Sequence, residues 1–229
     1  MNHLSEGVLD HGFVALIDVM GDEAEPARAA RISYGPTEER AWELDAKLIR
    51  YLHEHRHTSP FEMVETKWRV RLPIFVAREW VRHRTASLNE FSQRYADVRT
   101  LGDGEVLFHA PETWRAQDAK NKQGSAGELD EATQRAVSYR YDRAVREAVE
   151  AYEFFLEKGV AREQARIVLP VSTYTEMVWK IDLHNLLHFL ALRTDATAQA
   201  EFRGYALAME RILRNRWPRL LDIVRPEAS

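Results

Sequence analysis

The densest group of chemically capable side chains in this sequence lies between Arg82 and Tyr95. The segment opens with Arg82-His83-Arg84 and continues with Ser, Asn, Glu, Gln and a further Arg. A stretch that packs into a core avoids so many polar groups, because a buried polar group without a partner is costly. The segment therefore predicts a binding site.

The side chains of this segment indicate an anionic ligand that carries a ring. Guanidinium groups suit phosphate or carboxylate bidentately, and neutral amides and hydroxyls suit the edge of a heterocycle. The charged set is Arg82, Arg84 and Arg94, and the neutral set is Asn89, Ser92 and Gln93. A solvated, Arg-rich helix end is the alternative interpretation. The apolar run before the segment favours a site at the end of a partly buried helix, because Phe75, Val76 and Trp80 fall at helical spacing.

The segment resembles the signature of the flavin-dependent thymidylate synthases, in which Arg-His-Arg is followed by seven residues and then Ser. Arg82-His83-Arg84 and Ser92 fill these places. Further similarity follows in the family's order at 13–22, 29–34, 57–62, 165–170 and the segment ending Leu192-Arg193-Thr194-Asp195. Several matches in order along most of a chain do not arise easily by chance.

This resemblance implies an enzyme that converts dUMP to dTMP. NADPH reduces FAD, methylenetetrahydrofolate supplies the one-carbon unit, and the reduced flavin returns a hydride that completes the methyl group. The family also forms homotetramers with active sites built from several subunits, so the resemblance implies an inactive monomer.

The resemblance assigns site residues position by position. The FAD contacts it implies are Ser59, Arg82, His83, Arg84, Glu90, Asp182, His184 and His188, with His57 near the folate and flavin. The dUMP contacts it implies are Glu79, Arg82, Glu90, Phe91, Ser92, Gln93, Arg94, Arg166 and Arg193, of which Arg193 is the catalytic residue. Relatives often carry Gln where Glu79 stands, which leaves open a different contact or a carboxyl that is protonated when nucleotide is bound.

The chain contains no Cys. This excludes disulfides, Cys-ligated metal sites and a thiolate nucleophile. A pyrimidine methylase without Cys must activate uracil C5 by another route, and a fixed guanidinium beside N3 and O2 would stabilise the anion that forms. Arg193 has this role by resemblance, whereas its alternative role is an ordinary helix-terminal Arg that balances the dipole.

No metal site is predicted. His53, His55 and His57 alternate, which would spread them over different faces of a helix, and no acidic cluster accompanies them. His184 and His188 have the spacing of zinc ligands, but Asn185 stands where a zinc protease has its Glu.

Length and composition predict one domain over residues 1–229, because 229 residues with 45% hydrophobic content can build one sizeable core. No run reaches the length of a membrane span and no leader pattern is recognised, so we expect a cytoplasmic protein. The formal net charge of -4 disfavours a nucleic-acid binder. That class and a flavin reductase without methyl transfer remain the alternatives.

The periodicity predicts an α/β fold with a mixed, largely antiparallel sheet and helices packed on it. Predicted strands cover 13–20, 65–72 and 173–181, and predicted helices cover 24–33, 37–55, 131–158, 183–192 and 197–216. Thr37 is the expected N-cap of the second helix, with Glu38 and Glu39 favouring its dipole, and Leu44 lies on its apolar stripe. The apolar stripe of helix 131–158 indicates core or a subunit interface. The polar stretch 116–132 is predicted to be a surface loop.

Overall fold

A five-stranded antiparallel sheet runs through the computed structural model, which describes residues 4–35, 40–122 and 124–226. The strands are β1 Leu4–Val8, β2 Gly12–Met20, β3 Glu65–Pro73, β4 Ser87–Glu90, β5 Arg115–Gln117, β6 Ser125–Glu128 and β7 Tyr174–Asp182. The main sheet has the order β1-β2-β3-β7-β4, and β5 and β6 form a separate hairpin. Each neighbouring pair in the main sheet is antiparallel.

Helices complete the fold around this sheet. They are α1 Glu25–Arg31, α2 Trp42–Glu54, α3 Ser59–Glu62, α4 Ile74–Trp80, α5 Glu131–Glu157, α6 Arg162–Ala165, α7 Leu183–Arg193, α8 Ala200–Arg216 and α9 Pro218–Val224. The predicted α/β class with a largely antiparallel sheet is confirmed. None of the described helices has the length and apolar character needed to cross a membrane.

The two central strands, β3 and β7, were predicted correctly from their alternating apolar and polar side chains, and the structure shows why. Trp68 on β3 and Trp179 on β7 are register partners, and both are buried on the same face of the sheet. The opposite face carries charge, and there Glu176 accepts hydrogen bonds from Arg69 and Arg71. A strand that separates core from solvent must alternate, because successive side chains point to opposite faces.

An aromatic cluster joins α4 to this sheet and to the helices behind it. Trp80 is fully buried, and its ring lies 5.3 Å from Trp179, 5.0 Å from Phe189 and 5.1 Å from Phe202 between centroids. Aromatic pairs at such distances add stability beyond the area that they bury. The cluster fixes the end of α4, where the polar segment begins.

Helix α2 begins later than predicted, at Trp42, with Ala41 as its N-cap. The expected cap Thr37 and the flanking Glu38 and Glu39 lie outside the described residues. Leu44 is exposed, so its predicted place on the buried stripe is wrong. The buried face instead includes Asp45, Ile49 and Leu52, and Asp45 forms an ion pair with Arg31.

The predicted surface loop over 116–132 is wrong in its first part, where β5 and β6 pair. Side chains outside the hairpin support it, because Gln134 on α5 donates to the Trp114 carbonyl and Glu201 on α8 pairs with Arg115 at 2.5 Å. Gln123, in the same stretch, lies outside the described residues. The β5–β6 hairpin also lies beside the candidate active site.

Helix α5 confirms the predicted long helix, and Gly159 beyond its end adopts a left-handed φ of 79°. Tyr152 is its one buried residue among those described, whereas Tyr139 and Phe154 are exposed. Tyr152, Phe155 and Leu156 nevertheless pack in a small core cluster with Val98 and Ala165, so the apolar stripe is core at this end of the helix. Strand β1 and helix α9 were not predicted.

Candidate active site

The polar segment runs from the end of α4 through a tight turn into the edge strand β4. Backbone hydrogen bonds from Arg82 to Glu79 and from His83 to Trp80 close the turn. β4 then pairs with β7, and Thr175 on β7 donates to the Glu90 carboxylate at 2.8 Å. The segment is thus attached to the central sheet at both ends, which holds its side chains in place.

The Arg193 guanidinium is held on two of its nitrogens and on one face. Its Nε donates to His83 Nε2 at 2.9 Å, and its Nη1 donates to Glu79. The Phe202 ring lies beneath it, 4.8 Å from the guanidinium carbon. These contacts orient a planar cation at the end of α7, which a dipole-balancing Arg would not require. Glu79 therefore makes an ion pair within the chain.

His83 accepts a hydrogen bond from a cation, so it must be neutral at the accepting nitrogen. Burial, together with the nearby charges of Arg193 and His188, lowers its pKa from 6.5 to about 4. A neutral His83 leaves Glu79 as the charged partner of Arg193. The hydrogen bond to Arg193 is thus available at physiological pH.

We expect His83 to titrate near pH 4 in the folded protein. Between this value and the 6.5 of an unfolded histidine the unfolded chain binds more protons, so the free energy of unfolding should fall as pH falls through that window. Proton NMR of the histidine ring, assigned with the His83→Gln variant, measures the pKa. A midpoint near 6.5 would contradict this account of the Arg193 site.

A cleft of about 390 Å³ collects most of the predicted dUMP contacts. Its lining includes Glu90, Phe91, Ser92, Gln93 and Arg166. Arg78 on α4 also lines it, and a neighbouring cavity of about 730 Å³ shares Arg78, Gln93 and Arg166. We call these joined cavities the nucleotide cleft. Two guanidinium groups beside a Ser and a Gln suit a phosphate with an attached polar ring.

Three other predicted cations stand outside this lining. Arg94 pairs with Glu163 at 3.2 Å on the surface and lies over the Tyr95 ring. Arg82 and Arg84 are exposed in the turn after α4. The structure does not bring these three side chains to the nucleotide cleft within one chain.

A second cleft, of about 610 Å³, contains four histidines and is called the histidine cleft here. The histidines are His53, His57, His184 and His188, and the lining also includes an apolar wall of Leu52, Phe61 and Leu187. A lining that combines apolar side chains with ring nitrogens fits a flat heteroaromatic group, because imidazole can donate and accept. Among the described residues, no group of three or more His, Asp or Glu side chains is arranged to hold a metal ion.

Of the eight predicted FAD contacts, only His184 and His188 are in the lining of the histidine cleft, and the other six are Ser59, Arg82, His83, Arg84, Glu90 and Asp182. Asp182 caps α7, where its carboxylate accepts from the Asn185 amide at 2.9 Å and from the Asn185 side chain at 2.7 Å. Ser59 is exposed at the start of α3. The capping role of Asp182 positions the helix that carries both histidines and Arg193.

Arg193 itself lines a third cleft, of about 800 Å³, between α7 and the β5–β6 hairpin. Glu79, Arg115 and Gln199 are among its other lining residues. A single chain therefore distributes the predicted site over three clefts. Ser92 and Arg193, which the sequence placed in one dUMP site, line different ones.

Two arginines of the clefts received no role from the sequence. Arg78 precedes Arg82 by four residues, and this spacing at the end of a largely apolar segment was the available signal. Arg56 lines the histidine cleft and directly precedes His57. Nothing in its residue type distinguished it from other exposed arginines.

The family model for thymidylate synthase complementing protein matches residues 15–219. A flavin-dependent thymidylate synthase from Thermus thermophilus is 51% identical over 211 residues, which cover 92% of this chain and 74% of the relative. This chain belongs to the family of flavin-dependent thymidylate synthases. The corresponding enzyme of Gluconobacter oxydans is 49% identical over 90% of this chain and 68% of its own length.

Solved structures support the same family. A UMP/dUMP methylase, PolB, from Streptomyces cacaoi bound with 5-Br dUMP superposes with a TM-score of 0.82 at 31% identity, covering 95% of this chain and 96% of that one. The same enzyme bound with 5-Br UMP gives a TM-score of 0.81 at 32% identity, over 94% and 93%. The predicted resemblance is thereby confirmed for this chain.

Proposed function

We propose that this enzyme methylates C5 of dUMP to give dTMP. Methylenetetrahydrofolate provides the carbon, and NADPH with one proton provides the reducing equivalents, so that tetrahydrofolate and NADP⁺ are the other products. Bound FAD supplies the hydride chemistry between NADPH and the new methyl group. The observation that carries the proposal is the oriented guanidinium of Arg193 in a chain of this family without a thiol.

The role of Arg193 follows from the charge that develops on the substrate. For C5 to attack the one-carbon donor, electron density must be pushed toward C5 through the uracil ring, in an anionic form whose negative charge is shared with N3 and O2. A fixed cation beside those atoms stabilises this charge without reorganising during the reaction. Glu79, His83 and Phe202 keep the Arg193 guanidinium in one plane.

The nucleotide cleft supplies binding of the phosphate and ribose. Arg78 and Arg166 face the cleft, and Ser92 and Gln93 offer neutral hydrogen bonds there. A phosphate dianion is best held by more than one cation, because each charge-assisted hydrogen bond is stronger than a neutral one. We assign Arg78 to this set together with the residues that the sequence predicted.

Losing Arg78 should weaken dUMP binding. We expect Arg78→Met to raise the Kd for dUMP by about tenfold or more, the scale of a charge-assisted hydrogen bond. The side chain is exposed on α4, so the fold should survive. Equilibrium titration with dUMP measures the effect, with the surface variant Arg50→Ala as the matched control. Unchanged affinity would remove Arg78 from the phosphate site.

Ser92 is proposed to bind dUMP and not to attack it. Among the described residues, no histidine or carboxylate is hydrogen-bonded to its hydroxyl, and an unactivated hydroxyl is a weak nucleophile. We expect Ser92→Ala to raise the Kd for dUMP and to retain dTMP formation in a single turnover at saturating dUMP. Complete loss of dTMP with dUMP still bound would establish a covalent role.

The histidine cleft fits the proposed flavin. Its apolar wall can cover a flat ring system, and His184 and His188 can donate to or accept from ring heteroatoms. The predicted FAD set is completed by residues outside this lining, which are Ser59, Arg82, His83, Arg84, Glu90 and Asp182. NADPH and methylenetetrahydrofolate are proposed as cosubstrates, and the cytoplasmic location stays a prediction.

We further propose a homotetramer with shared active sites. The exposed apolar side chains of α5 support this, since a long helix with Tyr139 and Phe154 exposed suits a subunit contact. The separation of Arg193 from Ser92 supports it too, because a neighbouring chain could complete each cleft. Light scattering of the FAD-loaded protein measures the oligomeric state.

The function is tested by leaving out one component at a time. Purified protein with FAD, NADPH, methylenetetrahydrofolate and dUMP should form dTMP, and omission of any one should abolish it. NADPH oxidation that proceeds normally without folate, together with an absence of dTMP in the full mixture, would identify a flavin reductase instead. A colourless protein that does not quench FAD fluorescence would contradict both.

A further inference from the structure

Arg56 has a backbone conformation that glycine would adopt more easily. It follows the end of α2 with a φ of 57°, and the helix closes around it through hydrogen bonds from Arg56 to His53 and from His57 to Leu52. This is the position at which helices most often carry glycine, because a Cβ is disfavoured in the left-handed region. A long charged side chain here carries a conformational cost that glycine would avoid.

Arg56 differs from the other described residues that share this conformation without being glycine. Asp103 lies in a chain reversal and belongs to a residue type that tolerates it. Leu9 lies in the short turn between β1 and β2. Neither lines one of the three clefts, whereas Arg56 lines the histidine cleft. Residues held in strained backbone conformations cluster at active sites and ligand clamps.

The histidine cleft gives the Arg56 charge no partner. Asp and Glu are absent from its described lining. Arg225, the other arginine there, is engaged with Glu210 and with Thr194. Within the described part of the chain, the Arg56 guanidinium has no ion pair or hydrogen bond of its own. An uncompensated cation at the edge of a cleft with an apolar wall suits a ligand that joins a ring to an anionic group.

We propose that Arg56 binds the phosphate or carboxylate group of a ring-bearing cosubstrate whose ring lies against the wall formed by Leu52, Phe61 and Leu187. The proposal rests on the proposed function, which supplies three such molecules. FAD and NADPH carry phosphates, and the folate carries the carboxylates of its glutamate. The guanidinium adds a permanently charged, charge-assisted contact to the imidazole contacts beside it.

The first test variant is Arg56→Gly, because glycine should relieve the strain of the left-handed backbone and also removes the charge of the side chain. Arg56→Gly is expected to leave the melting temperature unchanged or higher, and to weaken binding of at least one cosubstrate about tenfold or more. Arg56→Asn, which also tolerates the left-handed region, repeats the test should glycine loosen the segment. Arg56→Lys should keep part of the affinity. Arg50→Ala, exposed on α2 and outside the cleft, is the matched control.

Three titrations identify the source of the anion. FAD is added to the flavin-free protein with fluorescence quenching as the readout, and NADP⁺ or tetrahydrofolate is added to the FAD-loaded protein in a calorimeter. A selective loss for FAD, for NADP⁺ or for tetrahydrofolate supports the proposal and names the group. Unchanged affinity for all three in folded Arg56→Gly and Arg56→Asn overturns it, as does a fall in melting temperature alone, which would indicate a purely helix-stabilising charge.

The proposed function fails by a different result. Wild-type protein that binds none of the three ligands or forms no dTMP contradicts the function. Wild-type protein that forms dTMP, with variants that bind all three ligands equally well, contradicts the role of Arg56 alone.

Discussion

Replacing Arg193 with lysine is expected to lower the rate of dTMP formation by about 100-fold or more, the scale for losing one preorganised stabilising group. Lysine keeps the positive charge but has a single ammonium, which cannot take the place of both Nε toward His83 and Nη1 toward Glu79. The cation would also lose its planar contact with the Phe202 ring. The charge that we propose to lie near the uracil would then be present but no longer held in one place.

The measurement compares single-turnover dTMP formation with FAD binding and thermal melting. FAD affinity and the fold should survive in Arg193→Lys, because α7 remains capped by Asp182. Arg216→Lys on the exposed end of α8 is the control and should behave as wild type. Near-normal turnover in Arg193→Lys would return this residue to the role of a helix-terminal charge.

Truncating Trp80 to alanine is expected to lower the free energy of unfolding by about 3–5 kcal/mol, the range for removing a large buried aromatic. Trp80 is fully buried and contacts aromatic rings from β7, α7 and α8. The turn that holds Arg82 and His83 begins at this residue, so activity should fall together with stability. Urea unfolding at a fixed protein concentration measures the loss, because oligomerisation makes stability concentration-dependent.

Two further variants distinguish the loss of aromatic packing around Trp80 from the mere loss of a large side chain. Trp80→Phe should cost far less than alanine, since the Trp80 indole nitrogen has no hydrogen-bond partner to lose. Trp42→Ala should also cost less, because Trp42 is half-buried and lies against Arg219 at 4.3 Å. Equal losses in Trp80→Ala and Trp42→Ala would contradict a central role for the aromatic cluster.

The parts of the fold that the sequence predicted well are those with a local cause. β3 and β7 each separate core from solvent, so alternation was visible in the residues themselves. β1 was not predicted, because Leu4–Val8 contains a Glu and a Gly and becomes a strand through pairing with β2. The β5–β6 hairpin was not predicted either, since its support comes from α5 and α8.

The candidate site likewise contains features that have a local cause in the sequence and features that do not. The Arg-His-Arg segment could be found from its own residue types and its resemblance to a family. The joining of His83 and Arg193 could not, because the two residues lie 110 positions apart and meet only through packing of α4 against α7. The left-handed backbone of Arg56 is likewise a product of helix closure, which residue identity does not reveal.

Strand β7 imposes a constraint on how this enzyme can change during evolution. One of its edges carries β3, which leads into α4 and Glu79, and the other carries β4 with Glu90. Its last residue, Asp182, caps the helix that bears His184, His188 and Arg193. An insertion or deletion of one residue within β7 would turn its side chains to the opposite face and displace all three clefts at once. Length variation should therefore be tolerated in the β5–β6 hairpin and excluded from β7.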